Sequence, residues 1–207
     1  MSIKSVLTAA ATVVFSACAA SASPVAWTVG SGGNGHSYEV VIAAGGIDWN
    51  DAKIAAEGLG GYLATIESAS ENDFVHALTL ISGAWYVDCC NSFGPWIGGI
   101  QAAGSPEPAG GFGWVTGEAW SYTNWASSEP SNAFAGGSRP EEAVHYFGYG
   151  GNNFAKTWND FPRDEAFYTR SYVVEYDAVP LPASVAFLGL AVGALAWLGA
   201  RRTKQPG

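Results

Sequence analysis

The feature that most constrains the fold is a change of pattern at Trp85. Before it, Asp48 is suited to cap one helix, and the capping box Ser68-Ala69-Ser70-Glu71 opens a second. After it, short strands alternate with loops rich in Gly, Pro and Asn as far as Tyr176. Two helices followed by strands and long loops predict an α+β fold, with the two helices packed on short antiparallel sheets.

The N-terminus has the character of an export signal. Lys4 precedes an apolar stretch, and Ala20-Ser21-Ala22 supplies the small residues of a cleavage site. This pattern predicts a signal peptide over residues 1–22, removed on export. A lipoprotein cleavage site before Cys18 is the alternative.

The sequence of the C-terminus predicts a membrane anchor. The apolar run 183–200 has the minimum length of a transmembrane helix, and the basic residues at 201–204 should stay on the cytoplasmic side. The predicted organisation is a signal peptide at 1–22, one domain at 23–178 with its core at about 37–177, and a C-terminal signal at 179–207.

The composition of the predicted domain excludes some partners. It holds all 18 acidic residues and only five of the nine basic ones, which argues against nucleic acid because phosphate binding needs a basic face. Cys89 and Cys90 are the cysteines that remain after export, and they are adjacent. They are free, joined as a vicinal disulfide or paired between chains, so no disulfide framework is predicted.

A long loop predicted over 126–142 carries oxygen-bearing side chains in its Glu129-Pro130-Ser131-Asn132 motif and at Glu141-Glu142. Trp158-Asn159-Asp160 follows, and no histidine lies among these motifs. Calcium binds six to eight hard oxygens from carboxylates, amides, carbonyls and water. A calcium site and a plain polar surface loop are both compatible with these residues.

The order of motifs along 37–177 resembles that of the C-type lectin domain. That family has a pair of disulfides, and here Ala143 and Val174 stand at two of the usual cysteine positions. The resemblance implies a C-type lectin-like fold with a long calcium-binding loop region. The motifs that carry it are Gly60-Gly61-Tyr62-Leu63-Ala64-Thr65-Ile66, Glu71-Asn72-Asp73-Phe74-Val75, Trp96-Ile97-Gly98-Gly99, the tryptophans Trp114, Trp120 and Trp125, Trp158-Asn159-Asp160 and Tyr172-Val173-Val174-Glu175.

The resemblance also implies Ca²⁺ as cofactor and a carbohydrate ligand. Ser131 stands where mannose-type lectins have asparagine, so the loop either shifts to bring Asn132 in or holds a weaker site. Pro130 is expected to follow a cis peptide bond. The implied metal ligands are Glu129, Ser131, Asn132, Glu141, Asn159 and Asp160, and the implied sugar contacts are Glu129, Asn132, Glu141, Asn159, Asp160 and, by stacking, Trp158.

The tail resembles bacterial PEP-CTERM sorting signals, through Val-Pro-Leu-Pro-Ala-Ser at 179–184, the apolar span and the arginine cluster. This implies a sorting protease, secretion through the inner membrane, and a cell-surface or matrix location with a transient or permanent anchor. Together the two resemblances predict an exported, calcium-dependent protein that binds surface or matrix polysaccharide. The alternative is a protein-binding or structural module with a degenerate sugar site. No nucleophile with a positioned base is evident, so an enzyme is not predicted.

Overall fold

The structure describes the predicted domain rather than the two signals at its ends. The computed structural model covers residues 20–21, 23–134 and 139–178. The predicted sorting signal at 179–207 lies outside the described residues, as does the predicted signal peptide apart from Ala20–Ser21. Within the described ranges, no helix combines the length and apolar character needed to cross a membrane.

Both helices begin at the predicted caps. Asp48 accepts a hydrogen bond from the N–H of Asp51 at the start of α1 (Trp49–Gly58). Ser68 accepts one from the N–H of Glu71 at the start of α2 (Ala69–Thr79). A side-chain acceptor at this position satisfies an N–H that has no partner within the helix.

The strands form one mixed sheet. Its main order is β1-β3-β10-β6-β8-β9, with β2 beside β3, β4 beside β10, and β5 and β7 beside β6. All pairs are antiparallel except β6 and β10, so the α+β prediction is confirmed and the expectation of purely antiparallel sheets is corrected. The last strand lies between the first long strand and the central one, and this placement makes the pair parallel. The bounds are β1 Ala20–Ser21, β2 Val25–Ala26, β3 Ser37–Ile42, β4 Tyr62–Leu63, β5 Tyr86–Val87, β6 Asn91–Gln101, β7 Phe112–Trp114, β8 Ala143–Tyr149, β9 Thr157–Phe161 and β10 Ser171–Tyr176, with a short 3₁₀ helix at Val29–Ser31.

Tryptophans fill the core in place of disulfides. Trp96 and Trp158 are fully buried, and Trp49 and Trp114 are nearly so. The indole N–H groups of Trp49 and Trp96 donate to the backbone carbonyls of Ile97 and Ile47, which lets these rings be buried without an unpaired donor. Burial of each ring removes a large apolar surface from water, and this stabilises the fold by about 25 cal/mol for each Å² of apolar surface buried.

The cysteines lie at the edge of this arrangement. Cys89 and Cys90 occupy the turn between β5 and β6, are exposed, and form no disulfide in the described part of the chain. Asp88 holds the turn by accepting hydrogen bonds from the N–H groups of Cys90 and Asn91. The two thiols are therefore not joined to each other as a vicinal disulfide.

Candidate functional site

A cavity of about 350 Å³ opens where the loop before β8 meets the ends of β8 and β9. Asn159 and Phe161 line it from β9, and Phe147 and Tyr149 line it from β8. Residues two apart in a strand point to the same face of a sheet, which explains why alternate residues meet here. The register pairs His145 with Asn159 and Ala143 with Phe161, so both strands contribute the same face.

The same alternation excludes Trp158 from the cavity. Its ring is fully buried, packs edge-on against Trp114, Tyr122 and Trp125, and donates its indole N–H to Asn72 Oδ1 at 3.0 Å. The prediction that Trp158 stacks on a sugar is therefore wrong. Its neighbours in sequence face the loop, but its own side chain points into the core.

Four of the predicted site residues share the cavity: Glu129, Ser131, Glu141 and Asn159. Glu141 is 3% exposed and Asn159 is 6% exposed, so both present polar atoms in a largely buried setting. Tyr149 donates its hydroxyl proton to Glu129 Oε1 at 2.5 Å. The other oxygen, Glu129 Oε2, is buried and has no hydrogen-bond partner among the described residues.

Asp160 and Asn132 have a different role from the one predicted. Asp160 accepts the backbone N–H of Ser131 on Oδ1 and that of Asn132 on Oδ2, both at 2.9 Å. Asn132 Oδ1 in turn accepts the backbone N–H of Glu141 at 2.9 Å. Neither side chain lines the cavity, so of the two alternatives for the loop, the one that brings Asn132 into a ligand position is not the one seen. These two residues instead hold the loop in place.

The loop at 128–132 contains a cis peptide bond and two residues with positive φ angles. The Glu129–Pro130 peptide bond is cis, which confirms the prediction. Ser128 and Asn132 have positive φ angles of 75° and 48°. Asparagine tolerates this left-handed conformation better than most residues, which suits it to the position.

The carboxylates of the site repel one another. Burial, together with the nearby charges of Asp160 and Glu129, raises the pKa of Glu141 to about 8, although the N–H of Ala133 donates to its Oε2 at 2.6 Å. Burial also raises the pKa of Asp160 to about 6, against the lowering effect of the two N–H groups that it accepts. A bound cation would favour the ionised forms and relieve this repulsion.

His145 lies beneath the site and is neutral. Burial lowers its pKa to about 3, and its ring lies between Phe93, Phe147 and Phe161. With Nε2 as acceptor, it receives a hydrogen bond from the Asn159 amide at 3.3 Å. That bond orients the amide and leaves Asn159 Oδ1 without a donor among the described side chains.

Sequence reasoning missed the aromatic wall of the cavity. The alternation His145-x-Phe147-x-Tyr149 was the available signal, because it places rings on the face that carries Asn159. The partners of these rings come from distant segments, which no local pattern reveals. The wall consists of Phe93, Phe134, Phe147, Tyr149, Phe161 and Tyr168.

The donor set suits calcium better than a softer metal. Carboxylate, amide and hydroxyl oxygens line the cavity at Glu129, Glu141, Asn159 and Ser131, and no described residue donates a hydrogen bond to the buried Glu129 Oε2. These residues fit a calcium ion whose remaining positions are filled by water or ligand oxygens. In the described ranges, however, no group of three or more His, Cys, Asp or Glu side chains is arranged as a metal site.

Comparisons with known proteins agree with the fold. No family model matches the chain. A lectin of Pleurodeles waltl is 31% identical over 121 residues, which cover 58% of this chain and 60% of that protein. Lectin BRA-3 of Megabalanus rosa is 32% identical over 88 residues, which cover 42% of this chain and 45% of that protein. The chain thus spans about half the length of the curated relatives it matches.

Solved structures define the class of fold. The cow C-type carbohydrate-recognition domain of CD23 superposes with a TM-score of 0.52 at 22% identity, over 72% of this chain and 92% of that one. A calcium-independent type II antifreeze protein superposes with a TM-score of 0.52 at 17% identity, over 77% of this chain and 98% of that one. The domain therefore has a C-type lectin-like fold. This fold thus occurs in a protein that is independent of calcium.

Proposed function

We propose that this domain binds carbohydrate through a calcium ion held in the cavity beside β8 and β9. One observation carries the proposal: Glu129, Glu141 and Asn159 bring side-chain oxygens to the same cavity, and Glu129 Oε2 is buried there without a hydrogen-bond partner among the described residues. Buried oxygens without donors are costly unless a ligand satisfies them. The lectins among the relatives support a carbohydrate as that ligand.

Calcium and sugar would share the same side chains. Glu129, Glu141 and Asn159 would hold the ion, with Ser131 as a weaker fourth ligand. Calcium accepts further oxygens, so neighbouring hydroxyl groups of a sugar can complete its coordination. The carboxylates can accept the hydroxyl protons at the same time.

Calorimetric titration of the purified chain with calcium, followed by a glycan array in calcium and in EDTA, tests this proposal. We expect heat on calcium addition and glycan binding that EDTA abolishes. Glu142→Gln is the matched control, because Glu142 pairs with Arg163 and does not line the cavity. Absence of both calcium heat and glycan binding in the folded protein would reject the proposal.

A second candidate is a protein-binding or structural module without calcium. It is favoured by Asp160 and Asn132, two predicted ligands whose side-chain oxygens accept backbone N–H groups instead. The likeness to a calcium-independent antifreeze protein supports this candidate at the level of the fold. Thermal melts in calcium and in EDTA separate the two, since only a calcium-binding domain melts higher in calcium.

We place this binding activity outside the cell. The predicted export signal at 1–22 and the predicted sorting signal at 179–207 support secretion, processing by a sorting protease, and a polysaccharide ligand at the surface or in the matrix. The lectin relatives also favour a binding protein over an enzyme. Mass spectrometry of the protein recovered from its host would test the two cleavages, since an intact N- and C-terminus would contradict them.

A further inference from the structure

The cavity is unusual in combining two kinds of wall. One wall is polar and includes the acidic residues Glu129, Glu141 and Asp88. The other consists of the six aromatic rings Phe93, Phe134, Phe147, Tyr149, Phe161 and Tyr168. No Lys, Arg or His is among the lining residues in the described part of the chain, so nothing there neutralises the acidic groups.

This combination determines which sugars suit the cavity. A sugar with a carboxylate or sulfate would meet like charge and no basic partner. A neutral sugar can pack on the aromatic wall and donate a hydroxyl hydrogen bond to Glu129 Oε2, but it brings no positive charge to balance the acidic groups unless calcium is present. A protonated amine satisfies both walls, because an ammonium group pairs with carboxylates and is attracted to aromatic faces.

We propose that the preferred ligand of the cavity is a cationic amino sugar, a hexosamine whose amine is free rather than acetylated. The inference rests on the proposed carbohydrate-binding function and names the substrate class of that site. The ammonium group lies beside Glu129 Oε2 and Glu141, and the sugar ring packs against Tyr149 and its aromatic neighbours. A volume of about 350 Å³ is at the small end of the usual range for small-molecule pockets and suits a ligand of one or two rings.

The ligand's own charge then replaces the calcium ion. Neutral sugars need calcium as the cation that the carboxylates bind, whereas an amino sugar brings a cation with it. Binding of the amino sugar should therefore persist in EDTA, and calcium should compete with it. Neither behaviour is expected of a site that recognises hydroxyl groups through calcium alone.

Calorimetry of the full chain with D-glucosamine, N-acetyl-D-glucosamine, D-mannose and n-butylamine, each in calcium and in EDTA, tests the inference. In EDTA we expect glucosamine to bind at least about tenfold more tightly than N-acetylglucosamine, because only the free amine is charged. Butylamine carries the charge without the ring and should bind more weakly than glucosamine.

Variants of the two walls measure how much each wall contributes to glucosamine affinity. Glu129→Gln should lower glucosamine affinity in EDTA by about tenfold, while the matched Glu142→Gln should not change it. Tyr149→Leu should weaken binding, whereas Tyr149→Phe, which keeps the ring, should retain most of it. Phe154→Leu controls for loss of an exposed ring outside the cavity. Thermal melts of each variant confirm that it is folded.

The outcomes separate failure of the amino-sugar inference from failure of the proposed carbohydrate-binding function. Calcium-dependent mannose binding with no preference for glucosamine would overturn this inference and leave the proposed function standing. Equal binding of butylamine and glucosamine would overturn it too, because the sugar ring would contribute nothing. If no sugar binds in either buffer, the proposed function fails together with the inference.

Discussion

Two groups of buried carboxylates in this domain differ in how completely their oxygens are used. In the first, the buried network, Glu175 accepts hydrogen bonds from His36 on one oxygen and from the N–H of Thr65 on the other. Glu71 belongs to the same network and also uses both oxygens, accepting from Tyr38 and Asn34 on one and from the N–H of Glu67 on the other.

In the second group, the cavity carboxylates, there are too few hydrogen-bond donors to satisfy both oxygens of each carboxylate. Glu129 has one partner, Tyr149, and Glu141 accepts chiefly from the N–H of Ala133. Each leaves one oxygen without a donor in the described residues. A fully satisfied carboxylate stabilises a particular fold, and an incompletely satisfied one beside a cavity is a group that a ligand can complete. The comparison therefore separates a structural cluster from a binding one.

The largest effect should come from breaking the buried network. Glu175→Leu should lower the free energy of unfolding by about 3 kcal/mol, because it leaves the buried Thr65 N–H and the His36 ring without their acceptor. Urea denaturation measures this change. Glu57→Leu is the control, since Glu57 forms an exposed pair with Lys53 worth less than about 0.5 kcal/mol. Similar values for the two variants would contradict a structural role for the network.

Calcium should act on the second group alone. Free calcium at a hundredfold excess over its Kd should raise the free energy of unfolding by about 2.7 kcal/mol, since it binds only the folded state. Glu129→Gln should remove most of this gain, and Glu142→Gln should retain it. Thermal and urea unfolding with and without EDTA provide the measurement. An undiminished gain in Glu129→Gln would place the ion elsewhere.

The pH dependence of stability should report the titration of Glu141, one of the cavity carboxylates. Because burial and neighbouring charges raise the pKa of folded Glu141 from 4.5 to about 8, the folded state holds its proton more tightly than the unfolded state. Its contribution to stability is thus fully present below pH 4.5 and is lost as the pH rises towards 8.

Glu141→Gln mimics the protonated carboxyl and removes this loss. Without calcium, the free energy of unfolding of the variant should therefore exceed that of the original protein by about 1–2 kcal/mol as the pH rises from 4.5 towards 8. Urea unfolding at a series of pH values in EDTA measures the gap. Asp160 titrates in both proteins with its pKa raised to about 6, so it contributes to both curves. Parallel curves would show that Glu141 does not titrate in this range.

The smallest effect should follow the loss of one partly exposed hydrogen bond. Tyr149→Phe removes the hydroxyl that donates to Glu129 Oε1 but keeps the ring. We expect a loss of about 0.5 kcal/mol in stability and a change of about twofold in calcium affinity, because Glu129 is less well oriented. Urea unfolding and calorimetry measure the two changes. A loss of stability as large as that of Glu175→Leu would mean that the two groups do not differ in kind.

Local patterns predicted the elements well and the site in part. Asp48 and Ser68 predict the starts of their helices correctly, because a helix cap needs only a side-chain acceptor for a backbone N–H three residues along the chain. The motif around Pro130 correctly predicted a cis peptide bond. Trp158 was misassigned because its neighbours belong to the site, and only the strand register shows that its ring points into the core.

Ser131 and Asn132 show a further limit. From the sequence, Asn132 was a candidate to replace the missing ligand, since it is an amide one position along. In the folded loop, its side-chain oxygen accepts the N–H of Glu141, a bond that forms only once the loop has returned to β8. Which oxygens remain for a ligand therefore depends on every donor that folding brings near.

The sequence by itself determined the two helices, the acidic loop and the resemblance that indicates the fold, because each depends on residues close together in the chain. The tertiary structure alone decided which carboxylates are satisfied and which are not. It also assembled the aromatic wall, whose rings come from β6, β8, β9 and two loops. The physical reason is that hydrogen-bond satisfaction and burial are properties of neighbours in space, and a strand's partners are chosen by the whole sheet.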